Sequence, residues 1–229
     1  MANNRLATLA LSAFLFLVTG LGLSSCGSDD NGTPDIPDNV CYDFVTFVST
    51  GDRGSVFTFQ RGGDTDLITL TAAVKIDTNK IKPGSRVIIQ YLPSGGQGVY
   101  QSGAIKLFGI LPILNEAIET ASQDTIESWG HDPVKVRVLA RSGEYLDVWV
   151  EAVYGKAPQR FVLAADEATL GNEYPELFMI FVTDDDMGRV HQTYASFNLS
   201  KVWDLETSKG AKLTYYTDDG AETMTLRKQ

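Results

Sequence analysis

The chain has 229 residues, with 19 basic and 29 acidic side chains, a net charge of −10 and 43% hydrophobic content. That apolar share excludes a disordered chain, and the length allows one large or two small globular domains. The negative charge is repelled by phosphate backbones and argues against a nucleic-acid partner. With only two cysteines, Cys26 and Cys41, a disulfide framework is excluded as well.

Residues 1–25 have the three parts of a secretory leader. Met1–Arg5 carries positive charge, Leu6–Leu23 is almost wholly apolar, and small residues Gly22, Ser24 and Ser25 crowd the end. The apolar run has 18 residues, at the short end of what spans a bilayer, about 17–25. A cleaved leader explains the small residues better than an uncleaved anchor does. Leu23-Ser24-Ser25-Cys26 resembles the lipobox of bacterial lipoproteins, which are cut before a cysteine that then carries lipid. The expectation is a chain beginning at Cys26 and held by two or three acyl chains, enough for stable membrane attachment. Cleavage would remove one basic residue, Arg5, and no acidic one, leaving a net charge of −11. Residues 26–40 are mostly Gly, Pro, Asp and Asn and read as an acylated flexible tether. The lipobox implies a lipoprotein of the cell envelope on the outer membrane, and Ser28-Asp29-Asp30 resembles the surface-export signal of Bacteroides-group lipoproteins, from which an outward-facing position is the expectation.

From Cys41 the signal is β. Runs at Cys41–Val48, Val56–Gln60, Leu67–Ile76, Arg86–Leu92 and Val99–Gly109 are separated by Gly, Pro and Asp turns. Alternation puts Ile68, Leu70, Ala72 and Val74 on one face, and Val87, Ile89 and Tyr91 on another. Five short strands over residues 41–112 fit a small closed OB-like barrel, which leaves no exposed sheet edges. The connection Asp77–Gly84 is too short for the helix that OB-folds often carry there. Residues 113–130 read as a linker with one short helix. Residues 131–229 then supply about seven further strands, from Val134–Leu139 to Thr223–Arg227, suited to an antiparallel β-sandwich. The fold class is all-β: an OB-like barrel followed by a sandwich.

Three stretches carry a family resemblance: Pro83-Gly84-Ser85-Arg86-Val87 with Tyr91, Gly143-Glu144-Tyr145-Leu146-Asp147-Val148, and Ala195-Ser196-Phe197-Asn198-Leu199-Ser200. With the order of lipobox, acidic tether, barrel and sandwich, the chain resembles the NigD-like lipoproteins of the Bacteroides group. The resemblance implies a binding or immunity role and transfers no catalytic residue. Around Gln159-Arg160-Phe161 the family often has a His that this chain lacks.

The chain shows no nucleophile elbow, since Ser102 and Ser142 lie outside the required Gly-x-Ser-x-Gly. His131 and His191 are the only histidines and lack the further N or S ligands of a zinc site. Asp184-Asp185-Asp186 reads as a hairpin turn more readily than as a calcium loop. No catalytic residue, metal site or cofactor is therefore expected. The candidate ligand site is the loop Pro93–Gly98, with Gly95, Gly96 and Gln97 between Tyr91 and Tyr100 as stacking surfaces. The expected function is a non-enzymatic, lipid-anchored binding or assembly module engaging a protein, peptide or glycan, in a narrower version a bacteriocin immunity protein. The competing expectation is a hydrolase using paired carboxylates in an interdomain cleft.

Overall fold

The computed structural model describes residues 39–62, 66–155, 157–183 and 188–228. Cys26, the leader, most of the tether and Asp184–Asp186 lie outside the described residues. Residues 36–229 make one compact unit. Among the described residues, no helix is long and apolar enough to cross a membrane.

Five strands close the barrel: β1 (Cys41–Gly51), β2 (Gly54–Phe59), β3 (Ile68–Ala72), β4 (Arg86–Pro93) and β5 (Gly103–Pro112). Their order around the barrel is β1-β2-β3-β5-β4, with β3 and β5 parallel and the other pairs antiparallel. Every second side chain points inward, so Val45, Phe47, Phe57, Leu70, Val87, Ile89 and Tyr91 share one core. Each such buried side chain contributes about 1.5–3 kcal/mol over leaving it in water. The pairing of β1 with β2 slips between Phe47 and Ser49. A bulge of this kind bends a strand and increases its twist, which helps the sheet close. Gly54 follows the turn with φ +104°, and a Cβ there would lie 1.9 Å from the Ala72 carbonyl oxygen. Only glycine fits that crossing of β2 past β3. The short 77–84 connection makes one turn, with the Lys80 and Ile81 amides donating to the Asp77 carbonyl. It inserts Ile81 into the barrel core, where a longer OB-fold would place a helix.

Residues 114–228 form a sandwich of two mixed sheets. Its strands are β6 (Leu114–Ala117), β7 (Glu119–Ala121), β8 (Lys135–Ser142), β9 (Tyr145–Tyr154), β10 (Arg160–Asp166), β11 (Glu176–Val182), β12 (Arg189–Asn198), β13 (Gly210–Thr217) and β14 (Gly220–Arg227). One sheet runs β14-β13-β11-β10-β7 and the other β6-β12-β9-β8. The core between them joins Leu146, Val148 and Val150 of β9 to Leu163, Leu177, Phe181 and Phe197. The sandwich departs from a purely antiparallel one: β6 pairs parallel to β12, β7 to β10, and β11 to β13.

The segment 113–130, expected as a linker, is built into both sheets through β6 and β7. It also holds the expected short helix, α1 (Gln123–Ser128), capped by the Ser122 side chain on the Thr125 amide. Ile126 of α1 packs with Ala164 and Ile180 on the outer face of the five-stranded sheet. The linker expectation rested on polar composition, yet two short edge strands need few apolar residues when a neighbouring strand supplies the hydrogen bonds.

Barrel and sandwich meet through a buried charge pair. Arg86 of β4 donates from Nη2 to both carboxylate oxygens of Asp147 on β9, at 2.6 and 2.7 Å. Its Nε donates to Ser196 Oγ (3.1 Å) and its Nη1 to Thr46 Oγ1 (3.2 Å). The Ser196 hydroxyl donates to Asp147, and the Tyr145 ring lies 4.5 Å under the guanidinium. Arg86 is 1% exposed and Asp147 3%. Around this network Phe44 of the barrel packs on Tyr194, which packs on Trp149.

Candidate functional site

The loop singled out from sequence sits at one end of the barrel. Gly95 and Gly96 adopt φ of +89° and +86°, so they supply the turn that L side chains disfavour. Gln97 folds back and its side-chain amide donates to the Ala104 carbonyl, while the Gln101 side chain accepts from the Gly98 amide (3.0 Å). The Gln97 bond ties the loop to β5, and the Gln101 bond closes the loop on itself. Tyr91 departs from the expectation. It is fully buried, and its hydroxyl donates to Asp43 Oδ2 at 2.9 Å inside the barrel. Its ring offers no stacking face to a ligand, because it shares the inward row of Val87 and Ile89. Tyr100 is exposed, with φ +65°, and carries the Arg61 guanidinium 3.4 Å over its ring. Arg61 also approaches Asp43 at 3.9 Å.

Beneath this lid lies a small titratable cluster. Burial pushes the Asp43 carboxyl above its ordinary value, against the opposing pull of Tyr91 and Arg61. Burial likewise raises the Tyr91 phenol and, with the Asp43 charge, the Cys41 thiol. Cys41 is half-buried and packs against the barrel core.

The two histidines are apart in role and place. His131 stacks on Tyr216 at 3.5 Å and His191 on Tyr154 at 4.3 Å. Among the described residues, no group of three or more His, Cys, Asp or Glu is placed to hold a metal.

A cleft of about 400 Å³ opens at one end of the sandwich, and its described lining residues all fall within 132–218. It is not the interdomain cleft that the hydrolase reading expected. The barrel junction is filled instead, and its acid, Asp147, is engaged by Arg86. Pro133, Val153 and Val190 form an apolar wall to the cleft, and Asp132, Glu151 and Asp218 stand around it with Lys135. Val153 and Val190 are paired across β9 and β12, and they are 49% and 66% exposed. Asp132 Oδ2 accepts from the Thr183 amide (2.6 Å) and hydroxyl (2.9 Å). Glu151 accepts from Arg137 at 2.7 Å, and that hydrogen bond holds its carboxyl below the ordinary range. A glycosidase acid must be shifted the other way, so that it stays protonated near neutrality. The sequence reading missed this cleft. A signal was present in Tyr145–Tyr154, where Leu146, Val148, Val150 and Ala152 alternate inward and Val153 falls out of phase.

No family model and no curated protein matches this sequence. Solved structures do share its fold. A protein of unknown function from Bacteroides vulgatus superposes with a TM-score of 0.66 at 18% identity, covering 83% of this chain and 92% of that one. A protein described as toxin-related, from Parabacteroides distasonis, gives 0.61 at 20% identity, over 82% and 93%. A NigD-like immunity protein from Bacteroides caccae gives 0.52 at 17% identity, over 81% and 92%. The OB-like barrel followed by a sandwich is therefore a fold that this chain has in common with a NigD-like protein.

Proposed function

We propose that this chain is a lipid-anchored envelope protein of the NigD-like type, which acts by binding a partner rather than by catalysis and has an immunity-like role against a protein toxin. The observation that carries the reading is the fold shared along four-fifths of the chain with an immunity protein. The toxin-related description of a second structure of the same fold points the same way. The anchor rests on Leu23-Ser24-Ser25-Cys26 and the Ser28-Asp29-Asp30 run beyond it. A tethered module would intercept a toxin at the envelope before it reaches its target, and a net charge of −11 after cleavage suits a basic partner.

The test uses cells lacking the gene, complemented with the full chain or with Cys26→Ala and grown with labelled palmitate. The expected result is label on the wild type only. Challenge with supernatant from a bacteriocin-producing neighbour should then kill the Cys26→Ala cells and spare those with wild type. An unlabelled wild-type chain would remove the anchor, and equal killing of both strains would remove the immunity role.

A further inference from the structure

We propose that the cleft at the end of the sandwich receives a lysine or arginine side chain presented by an extended segment of a protein partner. The inference rests on the binding reading above and names the chemistry of one contact; it does not depend on the lipid anchor. Three features carry it. The cleft, at about 400 Å³, lies in the range of roughly 300–1,000 Å³ typical of ligand sites. Its wall is apolar and open: Val190 and Val153 are among the most exposed large apolar residues of the described chain, and they stand side by side with Pro133 in the same cleft. Among the described residues, its lining carries three carboxylates against one ammonium, Lys135.

An apolar wall bounded by carboxylates matches a long basic side chain in both of its parts. Lysine and arginine lay their methylene stems along apolar surface and keep the charged head in polar surroundings. Here the stem would cover Val153 and Val190, and the head would reach the carboxylates. Asp218 stands in the exposed turn before β14. Both bonds that Asp132 accepts from Thr183 fall on its Oδ2. Glu151 is partly answered by Arg137, so Asp132 and Asp218 are the principal attractors. An acidic or purely apolar segment would leave these carboxylates repelled or desolvated without a partner.

The probe is the peptide acetyl-Gly-Val-Lys-Val-Gly-amide, titrated calorimetrically into the full chain in detergent, beside the same peptide with norleucine for lysine. The lysine peptide should bind more tightly, and its advantage should shrink as salt rises. Asp218→Asn should weaken the lysine peptide about two- to fivefold, the worth of an exposed ion pair, and Lys135→Gln should tighten it by a similar factor. Neither should change the norleucine peptide, whereas Val190→Ser should weaken both. These three positions lie at the surface, so the variants keep the fold. Equal binding of the two peptides, or charge variants that leave the lysine peptide unmoved, would overturn the inference. In that event the immunity challenge with Cys26→Ala would still decide the broader reading, because it does not involve the cleft.

Discussion

Removal of the Asp147 carboxylate tests how the barrel is joined to the sandwich. In Asp147→Ala, Arg86 keeps its charge at a site 1% exposed to water and loses both bonds that its Nη2 donates. Leaving one partner of a buried pair uncompensated costs about 3–5 kcal/mol. A domain of this kind has a total stability of roughly 5–15 kcal/mol, so the loss is a large share of it. At about 2–4 °C per kcal/mol for chains of this size, Tm should fall by roughly 6–20 °C. The assay is urea unfolding followed by two local probes. Trp129, Trp149 and Trp203, the only tryptophans, all lie in the sandwich half and report it by fluorescence. In a Cys26→Ser background Cys41, half-buried at the start of β1, is the only thiol, and the rise of its reactivity above the folded-state rate reports the opening of β1. The two probes should coincide in the parent chain and separate in Asp147→Ala. Loss of less than about 1 kcal/mol, the worth of a surface pair, would refute the claim that this pair is both buried and integral to the junction.

Two further predictions concern the barrel and the sandwich edges. Burial raises the folded-state value of Asp43 above its unfolded one. Its contribution is therefore most favourable below the unfolded value and is lost as pH rises through the folded value. Asp43→Asn, whose side-chain oxygen still accepts from Tyr91, should gain stability relative to wild type between pH 3 and pH 7; a difference independent of pH in paired melts would exclude the shift. Fragment 113–229 retains β6 and β7, whereas fragment 131–229 leaves β12 and β10 with bare edges. Unpaired edges invite aggregation, so the longer fragment should stay monomeric by light scattering and the shorter should not; equal behaviour would restore the linker reading of 113–130.

The barrel was legible because its alternation is strong. Val87, Ile89 and Tyr91 read as one face and occupy one face. The same alternation should have removed Tyr91 from the ligand site, since a residue in phase with two core aliphatics points into the core. Beta-strands Leu114–Ala117 and Glu119–Ala121 were illegible for a different reason. Each has only three or four residues and pairs in parallel with a strand far along the chain, so no local pattern marks it. The cleft escaped because it is assembled from loops and strand ends between Asp132 and Asp218, which no spacing rule connects.

Arg86 and Asp147 raise one last question, which is why a charged pair occupies a junction that apolar side chains could fill. Replacing a buried pair with well-packed hydrophobic residues is often neutral or stabilising. Here Ser196, fully buried, would lose its partners, at about 1–3 kcal/mol for a buried group left unsatisfied, and half-buried Thr46 would lose one. Arg86→Met with Asp147→Leu should therefore lie between wild type and Asp147→Ala in stability. What it cannot restore is orientation. Arg86 Nη2 donates to both Asp147 oxygens, charge-assisted bonds that tolerate only a narrow range of orientations, and Ser196, Thr46 and Tyr145 hold the guanidinium from three sides. Met against Leu tolerates sliding. The double variant should accordingly melt well above Asp147→Ala while showing broadened amide resonances for Phe44, Thr46, Trp149 and Tyr194. Sharp resonances at wild-type positions would mean that Phe44, Tyr194 and Trp149 suffice to orient the barrel, and that the charge pair contributes stability alone.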